Sequence, residues 1–134
     1  MSTRRPLVAV VEDDPSVRRG VERLLRSAAL SVETFSSGSA FLARTGAANP
    51  DCLVLDVSLP EQSGLSLLDG LRARGLDIPV IFITGHGDTL TVGQAMKAGA
   101  YEFLVKPFDG EALLAAIRRA TATTALVPPG PIRS

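Results

Sequence analysis

Four short apolar runs in this chain end in residues able to do chemistry. Leu7–Val11 leads into Glu12, Asp13 and Asp14, Cys52–Leu55 into Asp56, Val80–Ile83 into Thr84, and Phe103–Val105 into Lys106, followed by Pro107. Any one of these acids, taken alone, reads as a turn or helix cap. A set of carboxylates, a hydroxyl and an amine at the ends of four such runs asks for another explanation. Two carboxylates 4 Å apart repel by roughly 4 kcal/mol at an effective dielectric near 20. Glu12, Asp13 and Asp56 brought together and ionised would therefore need compensation, which Lys106 supplies in part. A divalent cation with oxygen ligands supplies more, and Mg²⁺ suits one or two carboxylates, several waters and phosphate oxygens. The chain has 1 Cys (Cys52) and 1 His (His86), so no thiolate or imidazole cluster suggests zinc. A hard-cation site beside a free carboxylate and a lysine holds the parts that phosphoryl transfer to an aspartate needs.

For these groups to meet, the runs that carry them must lie parallel. Short, β-branched, wholly apolar runs read as strands buried on both faces of a parallel sheet. Val32–Phe35 is shorter and alternates, which suits a strand nearer an edge. Between the runs lie helical periods. Pro15 to Ala29 puts Val17, Val21, Leu24, Leu25 and Ala28 on one stripe, with Asp14 as N-cap and Pro15 at the first helical position. Further helices are expected over Ser37 to Arg44, Leu65 to Arg74 (stopped by Gly75), Thr89 to Ala98 (stopped by Gly99) and Asp109 to about Ala122. Strand–helix repeated five times implies α/β architecture, a parallel sheet with helices on both faces. Five strands fit the doubly wound, flavodoxin-like order 2-1-3-4-5 rather than an eight-stranded barrel. The C-terminal strand ends then share one edge, where open α/β sheets bind ligands.

Composition bounds the function. A length of 134 residues fits one domain, and a hydrophobic fraction of 46% can build its core. Lys+Arg and Asp+Glu both number 14, a net charge of zero. That balance argues against a nucleic-acid binder driven by counterion release and against a polybasic membrane anchor. The first apolar run is too short for a signal peptide or a spanning helix, so a cytoplasmic protein is expected. Residues 1–6 read as an N-terminal extension and 7–122 as the domain. Residues 123–134, ending in the proline-rich Leu126–Ser134, read as a flexible tail or the start of a linker.

From about Leu7 to Ala120 the chain resembles the receiver domain of two-component response regulators. The resemblance is carried by Val10-Val-Glu-Asp-Asp14, Leu53-Val-Leu-Asp-Val-Ser-Leu-Pro60 with Gly64, Ile83-Thr-Gly85 and Lys106-Pro-Phe108. Ile83-Thr-Gly-His-Gly-Asp88 and Ala95-Met-Lys-Ala-Gly-Ala100 are most similar to regulators of the nitrogen-fixation type, which usually carry a C-terminal helix-turn-helix output domain. The resemblance implies that Asp56 accepts a phosphoryl group from a sensor histidine kinase or phosphotransfer protein. It makes Glu12 and Asp13 the acidic pair around Mg²⁺, with Asp13 coordinating directly, Asp14 capping the helix and the Ser58 carbonyl as a further ligand. Thr84 and Lys106 would bind phosphoryl oxygens, and the Lys106–Pro107 peptide would be cis. Thr84 and the aromatic Phe103 would form the switch, read out on the fourth helix, fifth strand and fifth helix, with phosphorylation-dependent homodimerisation there. Ser58 and His86 fall where the lifetime of the phosphoryl group is tuned.

Rival readings fare worse. A haloacid-dehalogenase-type hydrolase needs a second Asp two residues after the nucleophile, where this chain has Ser58. No Gly-x-Ser-x-Gly elbow, P-loop or dinucleotide fingerprint occurs. A receiver that acts by protein interaction without phosphorylation is the alternative, opposed by the intact Asp13, Asp56, Thr84 and Lys106. No segment after Ala120 is long enough for a DNA-binding domain, so the expected protein is a stand-alone receiver or the N-terminal piece of a longer regulator.

Overall fold

Period-two alternation along the strands decides the layers. The computed structural model of the chain describes residues 5–44, 49–59, 62–85 and 89–126. Its strands are β1 (Leu7–Val11), β2 (Ser31–Phe35), β3 (Cys52–Asp56), β4 (Val80–Thr84) and β5 (Glu102–Val105). The helices are α1 (Pro15–Ser27), α2 (Gly38–Leu42), α3 (Gly64–Ala73), α4 (Thr89–Lys97) and α5 (Gly110–Leu126). All four strand pairings are parallel and the order is β2-β1-β3-β4-β5, as expected. Val8, Val10, Val54, Ile81 and Ile83 pack on one side with Val21 and Leu25 of α1 and Leu113 and Ile117 of α5. Ala9, Val11, Leu53, Leu55 and Phe82 pack on the other with Phe41 of α2, Leu67 and Leu71 of α3, and Ala95 of α4.

The central strands β3 and β4 are buried along their whole length. The expectation of a fifth strand buried on both faces is corrected. β5 is an edge strand of intermediate burial, with Val105 43% exposed. A three-residue apolar run cannot report how many neighbours its strand has, and that number sets burial.

Helix ends follow local chemistry. The Asp14 carboxylate accepts the Ser16 and Val17 N–H groups at the start of α1. Ser37 and Ser63 cap α2 and α3 in the same way, so α2 begins one residue later and α3 one earlier than expected, and α2 also ends two residues sooner, at Leu42. α1, α3 and α4 end alike: the N–H after each cap bonds back three residues and the next N–H bonds back five, to Leu25, Leu71 and Ala95. The left-handed residue of this motif is Gly75 in α3 and Gly99 in α4, but Ala29, at φ 65°, in α1. α5 runs to Leu126, four residues past its expected end. The N-terminal residues 1–4, the remaining tail 127–134 and His86 lie outside the described residues. Among the described residues no helix is long and apolar enough to cross a membrane.

Candidate functional site

Strand parity brings three charged side chains together. Glu12 has the parity of Val8 and Val10, Asp56 that of Cys52 and Val54, and Lys106 that of Leu104, all on the α1/α5 side of the sheet. At the C-terminal edge the Lys106 ammonium bridges the two acids, 2.9 Å from Glu12 Oε1 and 3.3 Å from Asp56 Oδ2. Glu12 Oε1 is buried, and the ammonium of Lys106 is its charged neighbour. Glu12 is fully buried and Asp56 is 4% exposed, whereas Asp13 is exposed. Glu12, Asp13 and Asp56 can each offer one oxygen within 4.8 Å of the others.

The backbone fixes each of these groups. Glu12 N–H donates to the Phe35 carbonyl at 3.0 Å, and Glu12 Oε2 accepts the Asp14 N–H at 3.0 Å. Asp56 Oδ1 accepts the Ser58 N–H at 2.9 Å, which turns the carboxylate back over its own loop. Gly64 closes that loop, its N–H donating to the Val57 carbonyl at 2.7 Å. A Cβ at position 64 would lie 2.6 Å from the Asp56 carbonyl oxygen and 2.9 Å from the Phe82 ring, so only glycine fits. The Lys106–Pro107 peptide is cis, and the Lys106 N–H donates to the Thr84 carbonyl at 2.6 Å.

Electrostatics follow from this packing. Burial, reinforced by the neighbouring Asp56 carboxylate, pushes the Glu12 carboxyl up to about 7 against the opposing pull of Lys106 and the Asp14 N–H. Burial draws the Lys106 ammonium down, but its pairing with Glu12 and the charge of Asp56 outweigh it, and the net shift is upward. The Cys52 thiol is pushed up to about 12 by burial and packs as a small apolar group.

Glu12, Asp13, Asp56 and Lys106 therefore share one cleft, and Ser58 adjoins it through its amide. Thr84 is buried at the end of β4, but with the parity of Val80 and Phe82, on the α3/α4 side. Phe103 is half-buried on that same side, its ring centroid 6.5 Å from that of Phe82. Asp14 caps α1, and Glu12 and Asp13 are the residues of this loop whose carboxylates group with Asp56. Arg18 was not among the expected site residues, and its guanidinium donates to the Glu12 carbonyl at 2.8 Å. An apolar groove of about 510 Å³ opens beside the cleft, between Val17, Val21 and Leu24 of α1 and Lys106, Pro107 and Phe108.

An all-parallel sheet of this order, with a buried aspartate, neighbouring acids and a lysine at its C-terminal edge, defines a class: doubly wound α/β domains with an acidic cleft. The match to known families makes the assignment specific. Residues 8–118 match the response regulator receiver domain, and the chain belongs to that family of two-component systems. It is 47% identical over 120 residues to the response regulator protein TodT of Pseudomonas putida, covering 90% of this chain and 53% of that protein. It is 44% identical over 118 residues to the transcriptional regulatory protein FixJ of Azorhizobium caulinodans, covering 88% and 56%. The chain thus spans about half the length of the curated relatives it matches. The crystal structure of FixJ-N superposes with a TM-score of 0.81 at 37% identity, covering 89% of this chain and 95% of that one. The resemblance to regulators of the nitrogen-fixation type is borne out.

Proposed function

We propose that Asp56 accepts a phosphoryl group from the phosphohistidine of a sensor histidine kinase or phosphotransfer protein, in a Mg²⁺-dependent reaction. The observation that carries this reading is the placement of Asp56, 4% exposed at a strand end, with the Lys106 ammonium 3.3 Å from its Oδ2. Mg²⁺ fits the donor set: hard carboxylate oxygens of Glu12, Asp13 and Asp56, each within 4.8 Å of the others, with the Ser58 carbonyl as a further ligand. When bound, it neutralises charge between the carboxylates and the incoming phosphoryl oxygens. An Asp56 carboxylate oxygen forms the bond to phosphorus while the bond from phosphorus to the donor imidazole nitrogen breaks, its electron pair leaving with the imidazole. Lys106 then pairs with a phosphoryl oxygen. The acyl phosphate brings about −1.5 to −2 of charge at neutral pH. Thr84, now on the far side of the sheet edge, turns its hydroxyl to that charge, and Phe103 moves into the space it leaves.

The domain acts on itself as a signalling domain, its chemistry confined to its own phosphorylation and dephosphorylation. The readout is the face formed by α4, β5 and α5, used for partner binding or homodimerisation. Exposed Met96 and Val105 supply apolar surface on this face. A kinase partner places the domain in the cytoplasm, and transcription control is the output that the named relatives suggest. Hydroxylamine at neutral pH tests the acceptor: its nitrogen attacks the carbonyl carbon of an acyl phosphate, releasing phosphate and leaving a hydroxamate. After treatment with Mg²⁺ and acetyl phosphate, peptide mapping is expected to find the hydroxamate at Asp56. A hydroxylamine-stable phosphate, or a hydroxamate elsewhere, would overturn the assignment.

A further inference from the structure

The β1–α1 loop supplies two of the three clustered acids, and Arg18 reaches back across it from the first turn of α1. One guanidinium nitrogen, Nη1, donates to the Glu12 carbonyl at 2.8 Å and lies 3.4 Å from the Asp13 carbonyl, a second and weaker contact. The loop is also held from within. The Arg18 N–H donates to the Asp14 carbonyl at 2.9 Å, and Glu12 is tied to Phe35 and Asp14 through its own N–H and Oε2. Asp13 sits between these anchored points, and its exposed carboxylate goes where the held backbone sends it. The Glu12 carbonyl accepts from the half-buried Arg18 side chain, so the guanidinium closes the open side of the loop.

Arg18 has two effects of opposite sign on a cation. Its positive charge near the cleft repels one. Its hydrogen bonds hold two carboxylates within reach of a third, so a cation need not order them on binding. We infer that Arg18 is a positioning residue for the acidic pair: its contacts with the Glu12 and Asp13 carbonyls set the loop so that both carboxylates face the cation, and this outweighs its charge. The inference rests on the Mg²⁺ reading of the site and names the residue that makes it work. Partners that orient metal ligands typically carry about 10–100-fold in affinity.

The test is calorimetric titration of Mg²⁺ into the full chain as wild type, Arg18→Ala, Arg18→Lys and Arg19→Ala, with the metal-free thermal midpoint of each recorded alongside. Arg19 is exposed and adjacent, so its loss removes an equal charge without the contact to the loop. Arg18→Lys keeps the charge but ends one bond short of Nη1, and it decides the question if Arg18→Ala does not fold. Arg18→Ala is expected to bind Mg²⁺ about tenfold more weakly, Arg18→Lys to be weakened as well, and Arg19→Ala to bind as tightly as wild type or more so. In acetyl phosphate reactions the Mg²⁺ needed for half-maximal rate should rise in Arg18→Ala, while the rate at saturating Mg²⁺ recovers. Arg18→Ala binding as tightly as wild type or tighter would overturn the inference, as would Arg18→Lys at wild-type affinity. A wild-type protein that takes up no Mg²⁺ would overturn both this inference and the metal reading beneath it.

Discussion

Glu12 ties the sheet to the chemistry, because it is the one carboxylate of the cleft with no exposure at all. Its carboxyl is raised from 4.5 to about 7. A group whose folded value lies above its unfolded one stabilises the fold fully below the unfolded value and loses that contribution as pH rises through the folded value. In metal-free buffer the Glu12 contribution is therefore present at about pH 4.5 and gone above about pH 7. Urea unfolding of wild type and Glu12→Gln across this range should show wild type losing stability relative to the variant as pH rises. A constant difference between the two would contradict the account. At this scale much was legible: Glu12, Asp56, Thr84 and Lys106 stand out because each directly follows an apolar run, with Asp13 beside the first, although Thr84 lies on the other side of the sheet from the cleft. The full burial of Glu12 and its pairing with Lys106 were not, because they depend on two strands 94 positions apart in sequence meeting at one edge. The contact of Arg18 with the loop was hidden for a similar reason. On a helical wheel the residue belongs to the polar face of α1, and only the path of the preceding loop brings the Glu12 carbonyl to it.

Among the elements, α1 and α3 offer two tests of backbone fit. The α1 terminus uses Ala29 at φ 65° where α3 and α4 use Gly75 and Gly99 at φ 78° and 102°. A Cβ in the left-handed region is strained, and replacing it with hydrogen relieves more than the added freedom of the unfolded chain takes away. Ala29→Gly should stabilise the domain by about 1 kcal/mol, read as a higher urea midpoint at unchanged slope. A lower midpoint would contradict this reading of the terminus. Gly64→Ala should act in the opposite direction. Its new Cβ would press on the Asp56 carbonyl and the Phe82 ring, with a cost of about 1–3 kcal/mol and a displaced acceptor strand. Wild-type stability in that variant would contradict it. Glycine stops and caps were legible at α3 and α4 because Gly75 and Gly99 follow an apolar stripe. The edge position of β5 was not, because Phe103, Leu104 and Val105 are as apolar as the residues of a central strand.

On the scale of the whole molecule, alternation of strand and helix was enough to place five strands in order, since right-handed crossovers leave few arrangements open. The proposed readout of a phosphoryl group lies on the surface. Met96 and Val105 are the large apolar side chains left exposed among the described residues, at 47% and 43%, on the face proposed for readout. Sedimentation at high concentration should show a larger mass for the phosphorylated protein than for the unmodified one, and Val105→Lys should abolish the gain. Equal masses would exclude homodimerisation as the readout.

The central claim, Mg²⁺-dependent acceptance of one phosphoryl group by Asp56, is tested most directly by intact mass. The full chain is incubated with acetyl phosphate and Mg²⁺ beside Asp56→Asn and a chelated control. The account predicts a gain of one phosphoryl group in wild type and none in either control. A gain that survives Asp56→Asn or chelation would contradict it, and no gain in wild type with Mg²⁺ demonstrably bound would favour a module that works by contact alone.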